Sequence, residues 1–223
     1  MSVDVRNLRK SYPQPGGGSV SVLDVPELTL ADGEQVALIG GSGTGKTTLL
    51  HILAGIVPAD SGSVTLAGAD LASLGEAERD RHRGANLGYV FQTHHLLPAF
   101  TALENVLLGM SFTGKSADRG WATSLLERVG LGDRMRYKPG QLSVGQRQRV
   151  AVARALANRP KVVLADEPTG ALDPGNASAV LALIRKLCDD AGATLLLVTH
   201  DHDLAAKLPR TIDLATLNRK TAA

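Results

Sequence analysis

Residues 40–47 read Gly-Gly-Ser-Gly-Thr-Gly-Lys-Thr and match the phosphate-binding pattern G-x-x-x-x-G-K-[ST] at every fixed position. An apolar run at residues 35–39 precedes this loop, and a helix-forming stretch at 47–54 follows it. This order predicts a buried strand, a glycine turn and a helix whose first N–H groups face a phosphate. This strand–turn–helix unit indicates an α/β fold, and no other part of the chain indicates the fold class as strongly.

The predicted ligands of the loop are ATP and Mg²⁺. We expect Lys46 to place its charge on the β- and γ-phosphates during binding and catalysis, and the Thr47 hydroxyl to ligate Mg²⁺. A glycine-rich turn that binds nothing is the alternative, but the flanking strand, the helix and the Lys-Thr pair disfavour it. The predicted nucleotide contacts here are Gly40, Gly41, Ser42, Gly43, Thr44, Gly45, Lys46, Thr47 and Thr48.

Two adjacent carboxylates follow a second apolar run. Residues 162–165 read Val-Val-Leu-Ala, and Asp166 and Glu167 come directly after them. The carboxyl edge of a parallel sheet forms a crevice, so these side chains are expected at a ligand site. We expect Asp166 to hold Mg²⁺ through water and Glu167 to act as the general base. In the bland alternative, both residues only cap a turn before Pro168.

Two further polar residues follow predicted strands. Gln92 comes after the strand 87–91 and is a candidate contact for Mg²⁺ and the attacking water, although a plain loop residue is the more frequent outcome for a glutamine. His200 directly follows the apolar run 194–199, and an imidazole at this position can hydrogen-bond a γ-phosphate.

The histidine pairs also raise the possibility of a metal site. His94 and His95 are adjacent, and His200 and His202 are two residues apart. No cysteine or third histidine lies at ligand spacing, so we exclude a histidine-metal site and predict solvated histidines instead.

Residues 142–146 read Leu-Ser-Val-Gly-Gln and begin a long helical pattern. Ser143 and Gln146 have the spacing of a capping box, with Ser143 as the N-cap. The start of this helix offers free N–H groups and a hydroxyl to a phosphate. An ordinary well-capped helix is equally compatible with the spacing alone.

The remaining pattern indicates one domain, at most with a subdomain. Apolar strands and helical segments alternate, which predicts a mostly parallel sheet covered on both faces. Between about residues 93 and 140 the texture changes to short helical segments. A hairpin loop or an edge connection is expected at 13–19. The predicted strands are 35–39, 63–66, 87–91, 161–165 and 194–199, and the predicted helices are 47–54, 101–108, 121–129, 144–157 and 175–189.

Composition excludes several classes of protein. The 24 Lys and Arg residues nearly balance the 22 Asp and Glu residues, which gives no support for a nucleic-acid-binding face. Cys188 is the only cysteine, so an intrachain disulfide is impossible and a reducing compartment is expected. No apolar run approaches the roughly 20 residues of a membrane helix. A role at a membrane must therefore come through a partner.

Together these segments resemble the ATP-binding cassette (ABC) family over nearly the whole chain. The family's signature motif reads LSGGQ, and residues 142–146 match it except at Val144, which replaces the first of the two glycines. We expect function to be retained despite this substitution. The matches are residues 40–47 to the Walker A motif, 162–167 to Walker B, Gln92 to the Q-loop, 142–146 to the signature, 171–173 with Asp173 to the D-loop, His200 to the switch histidine and Tyr12 to the aromatic residue that stacks on adenine.

The resemblance implies a P-loop NTPase (RecA-like) α/β fold, with a parallel-sheet core, an N-terminal antiparallel β-subdomain and an inserted α-helical subdomain. The whole chain would form a single cassette. Residues 1–92 and 150–223 would form the nucleotide-binding core with the β-subdomain. Residues from about 93 to 149 would form the helical subdomain that carries the signature.

The resemblance also implies the partners. Two copies would close head to tail, with each ATP between one phosphate loop and the other copy's Ser143, Gly145, Gln146 and Asp173. A membrane permease would dock near residues 92–100 and the helical subdomain, so that the chain lies on the cytoplasmic face of the inner or plasma membrane. Residues 96–100 are apolar and are expected to line the docking groove, with internal packing as a close competitor. No nucleic acid is expected as a partner.

Within the family, residues 91–106 and 165–173 look like the lipoprotein-release and macrolide-export branch. Members of that branch handle lipoproteins, haem, peptides and drugs, and the membrane subunit chooses the cargo. An FtsE-like regulatory cassette that signals across the envelope is the alternative. A translation ATPase would carry two cassettes, a DNA-repair type would insert a long coiled coil, and a P-loop kinase would have no reason for residues 142–146.

Overall fold

The computed structural model describes residues 1–113 and 116–219. Short 3-10 turns at Ser111–Thr113, Gly132–Arg134 and Pro139–Gln141 connect some of the helices. In chain order the strands and helices are β1 (Val3–Pro13), β2 (Ser19–Leu30), β3 (Gln35–Ile39), α1 (Lys46–Leu53), β4 (Ser61–Leu66), β5 (Ala69–Asp70), α2 (Glu76–Asn86), β6 (Leu87–Val90), α3 (Ala102–Met110), α4 (Arg119–Arg128), α5 (Val144–Ala155), β7 (Val162–Asp166), α6 (Pro174–Ala191), β8 (Thr194–Val198), α7 (His202–Ala205), β9 (Arg210–Asp213) and α8 (Leu214–Leu217).

A five-stranded sheet forms the centre, in the order β6-β7-β8-β3-β9, and all of its neighbouring pairs are parallel. Parallel strands end at the same edge, and the register pairs Asp166 with Val198. The polar residues that follow β6, β7 and β8 are therefore brought to one edge. This confirms the predicted α/β fold with a parallel core.

Both faces of this sheet are buried, as the near-continuous apolar strands predict. Along β7, Val163 and Ala165 face a core formed with α3 to α6, whereas Val162 and Leu164 face a second core formed with α1 and the N-terminal strands. Strand β8 divides its side chains between the two cores in the same way. The alternation follows from the period of two residues in a strand.

A second sheet is antiparallel, in the order β2-β1-β4-β5, and confirms the expected N-terminal β-subdomain. Strands β1 and β2 form a hairpin in which Pro13 pairs with Ser19, so the predicted loop at 13–19 is confirmed. The buried Lys10 ammonium donates to Asp60 at 2.8 Å. This ion pair ties β1 to the loop before β4.

Helices α3, α4 and α5 lie between β6 and β7 in the sequence, and they pack against one another. The apolar face of α4 packs inside: Leu125 and Leu126 are fully buried, and the half-buried Trp121 packs against the same core. Helix α3 begins at a capping box of Thr101 and Glu104. The exact limits of the helical subdomain, set at about 93–149 from the sequence, stay a prediction.

Five elements were not predicted, namely β5, α2, α7, β9 and α8. Helix α2 has no buried residue, because its sequence is mostly charged and carries no apolar period. Strand β9 pairs with β3 at the edge of the parallel sheet and has only four residues, of which none is buried. In the described part of the chain, no helix combines the length and the apolar character needed to span a bilayer.

Candidate active site

The glycine loop at residues 40–45 leads from β3 into α1. The buried Lys46 ammonium donates to the carbonyl oxygens of Gly40 and Gly41 at 2.7 and 2.8 Å, and the Thr44 hydroxyl donates to Gly41 at 2.9 Å. These bonds curl the loop around the lysine. The first N–H groups of α1 have no intrahelical partner, and the N-cap residue Gly45 has no side chain to cap them. They are free to bind an anion.

Gly45 has to be glycine for two separate reasons. Its φ is 102°, which side chains rarely adopt, and a Cβ there would lie 2.8 Å from Leu23 Cδ2 and 3.1 Å from the Val22 carbonyl oxygen. Strand β2 therefore presses directly against the start of α1. This contact places the N-terminal hairpin beside the phosphate loop.

Asn218 holds the same junction from the other end of the chain. Its amide donates to the Val22 carbonyl at 2.8 Å, and its carbonyl oxygen accepts from the Asp24 N–H at 2.7 Å. A third and longer contact joins the amide to the Thr44 carbonyl at 3.4 Å. Asn218 was not predicted from the sequence, because a lone asparagine 174 residues after Thr44 carries no signal that would identify it.

Asp166 and Thr47 meet at the carboxyl edge of β7. Burial raises the pKa of the Asp166 carboxyl, while its hydrogen bond with Thr47 and the charges of His51 and Lys46 act in the opposite direction. An ionised carboxylate at this position is therefore costly until a cation compensates for its desolvation. His51 lies one helical turn beyond Thr47 on α1 and was not identified from the sequence.

Glu167 and His200 form a hydrogen bond of 2.8 Å between Oε2 and Nδ1. Glu167 has a φ of 44°, in the left-handed region, which costs on the order of 1–3 kcal/mol for a residue with a side chain. This turn takes Glu167 out of the strand alternation after β7. Gln92 reaches the same place, because a Cβ built on Gly170 would lie 3.2 Å from Gln92 Nε2 and 3.6 Å from Glu167 Oε2.

A cavity of about 160 Å³ opens beside these side chains. Its lining includes Glu167, Gly170, Thr199 and His200. Since a water molecule occupies about 30 Å³ in the liquid, the cavity has room for several waters next to the carboxylate. The arrangement therefore provides a base, a polar neighbour and space for a nucleophilic water.

The residues present fit a magnesium ion shared with phosphates. Within residues 1–113 and 116–219, no three His, Cys, Asp or Glu side chains form a cluster that could hold a metal alone. Thr47, Gln92 and Asp166 offer only oxygen ligands and a single carboxylate at the sheet edge. Mg²⁺ commonly binds through one or two carboxylates and completes its shell with water and substrate phosphates.

The predicted capping box at the start of α5 is confirmed. Ser143 accepts from the Gln146 N–H at 3.2 Å, and the Gln146 side chain accepts from the Ser143 N–H at 2.9 Å. Ser143 and Val144 are exposed at the surface. Gly145 faces Leu172, since a Cβ on this glycine would lie 3.9 Å from Leu172 Cδ2. Residues 143–146 thus sit beside 171–173 and are open to a partner.

Asp173 and Tyr12 have structural surroundings of their own. Asp173 is the N-cap of α6, and its hydrogen bonds with the Asn176 side chain and backbone lower the pKa of its carboxyl. Tyr12 lies on β1 opposite Val20, with part of its ring exposed, and the Lys10 ammonium lies 5.4 Å from the ring centroid. This cation–π contact holds Lys10 and Tyr12 together within the hairpin.

The prediction that the histidines are solvated is wrong for His94. Its ring is half-buried and donates from Nε2 to the Val144 carbonyl at 3.2 Å. In the sequence, His94 was considered only as part of the adjacent His94–His95 pair, for which a metal site was excluded. His200 is also engaged, through Glu167.

Residues 96–100 divide between packing and exposure. Leu96 packs against the core, whereas Leu97 and Phe100 are each 40% exposed. The fully buried Asn105 holds this loop through the Leu97 N–H and through the carbonyl oxygens of Leu97, Phe100 and Thr101. The loop is therefore preformed, and its Leu97 and Phe100 side chains face outwards.

A groove of about 570 Å³ lies next to that loop. Aromatic and basic side chains line it, so it suits an amphipathic segment with an acidic end. Leu97 and Phe100 are not among its lining residues, contrary to the expectation that they would form the groove. The lining includes Arg81, Arg83, Tyr89, Phe91, His95 and Arg154.

Comparisons with known proteins agree with this geometry. The family profile described as ABC transporter matches residues 23–170. The chain is 47% identical over 214 residues to the lipoprotein-releasing system ATP-binding protein LolD of Shewanella frigidimarina, covering 95% of this chain and 89% of that protein. It is 50% identical over 213 residues to LolD of Pseudomonas syringae pv. tomato, covering 94% and 92% of the two chains.

Solved structures show the same similarity. The dimeric post-hydrolysis structure of the ATP-binding cassette MJ0796 with ADP and Pi superposes with a TM-score of 0.86 at 36% sequence identity, over 95% of this chain and 93% of that one. A second dimeric structure of MJ0796, described as a bacterial ABC transporter cassette, gives the same TM-score at 37% identity and the same coverage.

Proposed function

The chain belongs to the ABC transporter family, and from that premise we propose that it is the ATP-hydrolysing subunit of a lipoprotein-releasing transporter. One observation carries the catalytic part of this proposal. Gln92 and Glu167 both lie beside Gly170, and Glu167 bonds to His200, at the sheet edge where Asp166 meets Thr47 of the phosphate loop. A nucleotide bound at the loop would have its terminal phosphate at this edge.

The phosphate loop binds the nucleotide in this proposal. The free N–H groups at the start of α1 bind the β-phosphate, and Lys46 exchanges its carbonyl partners for phosphate oxygens. Tyr12 stacks on adenine. The remaining contacts of this loop are Gly40, Gly41, Ser42, Gly43, Thr44, Gly45, Thr47 and Thr48.

Thr47, Gln92 and Asp166 would hold Mg²⁺, which would neutralise charge on the phosphates when bound. Glu167 accepts a proton from the attacking water, and that water adds to the γ-phosphorus as the bond to ADP breaks. His200 orients the Glu167 carboxylate through their 2.8 Å bond. The released proton resides on Glu167 until phosphate leaves.

Two copies complete the two sites. Ser143, Gly145 and Gln146 are accessible, and the start of α5 faces outwards with its dipole available to a phosphate. Asp173 lies on the segment next to them. We propose that these residues contact the nucleotide held by the other copy, and the dimeric cassette structures support this arrangement.

A membrane subunit uses the resulting closure. The two LolD relatives are named for lipoprotein release, which supports a lipoprotein cargo over the FtsE-like signalling alternative. We propose that the cassette binds the cytoplasmic face of the inner membrane through that subunit. The aromatic and basic groove and the exposed Leu97 and Phe100 form the proposed docking surface. No nucleic acid takes part.

Glu167→Gln is the variant that tests this function most directly. Glutamine keeps the shape of the side chain but accepts no proton, so Mg-ATP should bind and hydrolysis should fall by 100-fold or more. The variant should elute as a dimer in size-exclusion chromatography with Mg-ATP and as a monomer with Mg-ADP.

Wild-type turnover supplies the second readout. Its ATPase rate should rise more steeply than linearly with enzyme concentration at low concentration, because only dimers hydrolyse. A Glu167→Gln variant that stays monomeric with ATP, together with a strictly linear wild-type rate, would refute the shared site.

A further inference from the structure

The segment that follows Gln92 is hydrogen-bonded to helix α5 near both ends of the helix. The Arg154 guanidinium, near the end of the helix, donates to the carbonyl oxygens of His95 and His94 at 2.7 and 2.8 Å. At the other end, the His94 ring donates to the carbonyl oxygen of Val144 at 3.2 Å. Ten residues, or about 15 Å of helix, separate these two anchors.

The His94 contact has a defined chemistry. A carbonyl oxygen only accepts, so the ring carries a proton on Nε2. The ring therefore donates one hydrogen bond from Nε2, and the Val144 carbonyl accepts it.

His94 stands between two residues that serve different nucleotides. It follows Gln92 by two positions, and the side chains of Gln92 and Glu167 both lie beside Gly170 in the chain's own site. Its bond partner, Val144, directly follows Ser143, which is exposed at the surface and, in the proposed function, contacts the nucleotide of the second copy. One side chain therefore joins the contact made in the chain's own site to the contact made in the partner's site.

We propose that His94 is a positioning residue that couples the two nucleotide sites, by holding the start of α5 in register with Gln92. This inference rests on the proposed function, because it needs Ser143 to complete the partner's site. When Gln92 contacts the nucleotide bound in its own chain, the His94–Val144 hydrogen bond links the position of Gln92 to that of Val144. Because Ser143 is adjacent to Val144, the position of Ser143 follows. Val144 takes part through its backbone carbonyl, so this link does not depend on its side chain.

The coupling predicts a specific defect when the donor is lost. A nucleotide bound to a single copy does not use Ser143, so its affinity should not depend on His94. Dimer closure does use Ser143, and each dimer contains two His94–Val144 bonds. Closure and cooperativity should therefore weaken while binding to the monomer is unchanged.

The test compares His94→Phe with His94→Gln in the Glu167→Gln background. Phenylalanine keeps the ring without a donor, whereas the glutamine amide places its nitrogen near the position of Nε2. His94→Phe should raise the ATP concentration for half-maximal dimerisation by about 5- to 10-fold, the effect of losing a net hydrogen bond. His94→Gln should stay within about twofold of the parent variant, as should the matched control His202→Ala.

Three further measurements separate the outcomes. Binding of a fluorescent ATP analogue to the monomer should be equal in all variants, and in chains with Glu167 intact His94→Phe should lower the Hill coefficient for ATP towards 1. Equal dimerisation of His94→Phe and its parent, or a defect of the same size in His94→Gln, overturns the inference. If His94→Phe does not fold, His94→Asn, whose amide is too short to reach Val144, replaces it. Failure of the parent Glu167→Gln to dimerise would instead refute the proposed function.

Discussion

The Glu167 carboxylate and the His200 imidazole form a 2.8 Å hydrogen bond across the ends of two neighbouring strands. Glu167 is mostly buried, whereas His200 is largely exposed. The imidazole therefore fixes the direction of the carboxylate while keeping one side open to a bound nucleotide. In the proposed mechanism this contact separates two tasks, because Glu167 takes the proton and His200 holds the Glu167 carboxylate in position.

Replacing His200 should affect catalysis more than binding. His200→Ala should lower kcat by about 100-fold, since a positioned acid–base group contributes 10²- to 10⁴-fold, while the affinity for ATP changes little. Steady-state ATPase and nucleotide-binding titrations measure the two effects. His202→Ala is the control, because that histidine is exposed on α7, and it should keep the wild-type rate. A normal kcat in His200→Ala would remove His200 from the mechanism.

A mixture of two inactive variants should rebuild one site. In Lys46→Ala the phosphate loop is defective, and in Ser143→Arg the partner-facing helix start is blocked. A head-to-tail dimer with one copy of each has one site with both defects and one site with none. In the Glu167→Gln background, the mixture should trap about one ATP per dimer, as measured with radiolabelled ATP after rapid desalting.

Each variant alone provides the control for that mixture. Every site in either homodimer contains one defect, so neither variant should trap ATP. Trapping by Ser143→Arg alone would mean that Ser143 does not contact the partner's nucleotide. No trapping in the mixture, with both chains folded, would contradict the head-to-tail arrangement.

Charge at the docking surface should uncouple the cassette from its membrane subunit. Leu97→Glu and Phe100→Glu lie on a preformed exposed loop, so stability should change by less than about 1 kcal/mol. Basal ATPase of the isolated protein should stay within twofold. Co-purification with the membrane subunit from detergent-solubilised membranes should fall at least tenfold.

Ile56→Glu is the matched control for the docking variants, because Ile56 is also an exposed apolar residue but lies outside both the loop and the groove. It should co-purify normally. A comparable loss in Ile56→Glu, or normal recovery of both loop variants, would place the docking surface elsewhere.

The Lys10–Asp60 pair should make stability depend on pH. The hydrogen bond from Lys10, and then that from the Ser11 N–H, lower the pKa of Asp60. A lowered carboxyl pKa stabilises the fold above the unfolded value of about 3.9, and this contribution is lost as the pH falls through the folded value. Asp60→Asn leaves the buried Lys10 ammonium without its charged partner, so at pH 7 it should destabilise the protein by about 1–3 kcal/mol.

Urea denaturation at pH 7 and below pH 4 measures that difference, which should shrink at the lower pH. Asp133→Asn is the control, because its ion pair with Arg134 is 3.6 Å long and exposed. The control should change stability by less than about 0.5 kcal/mol. A constant difference between Asp60→Asn and wild type across this range would contradict the assignment.

The sequence was sufficient for the parts of the molecule that depend on short stretches of chain. The phosphate loop, the capping box of Ser143 and Gln146, and the strands 35–39 and 194–198 each depend on residues within a few positions of one another. Periodicity and local hydrogen bonds determine such elements. The parallel sheet follows from the alternation of strands and helices. The charged helix α2 was not predicted, because it buries no residue and its sequence therefore has no apolar period.

Only the tertiary structure decided which distant side chains meet. His200 reaches Glu167 across 33 residues, His94 reaches Val144 across 50, and Asn218 reaches Val22 across 196. These contacts depend on the order of strands in the sheet and on local backbone angles such as the positive φ of Glu167. Neither is encoded in the spacing of a motif. Motifs therefore identified the chemistry of this protein, while packing determined how its parts are connected.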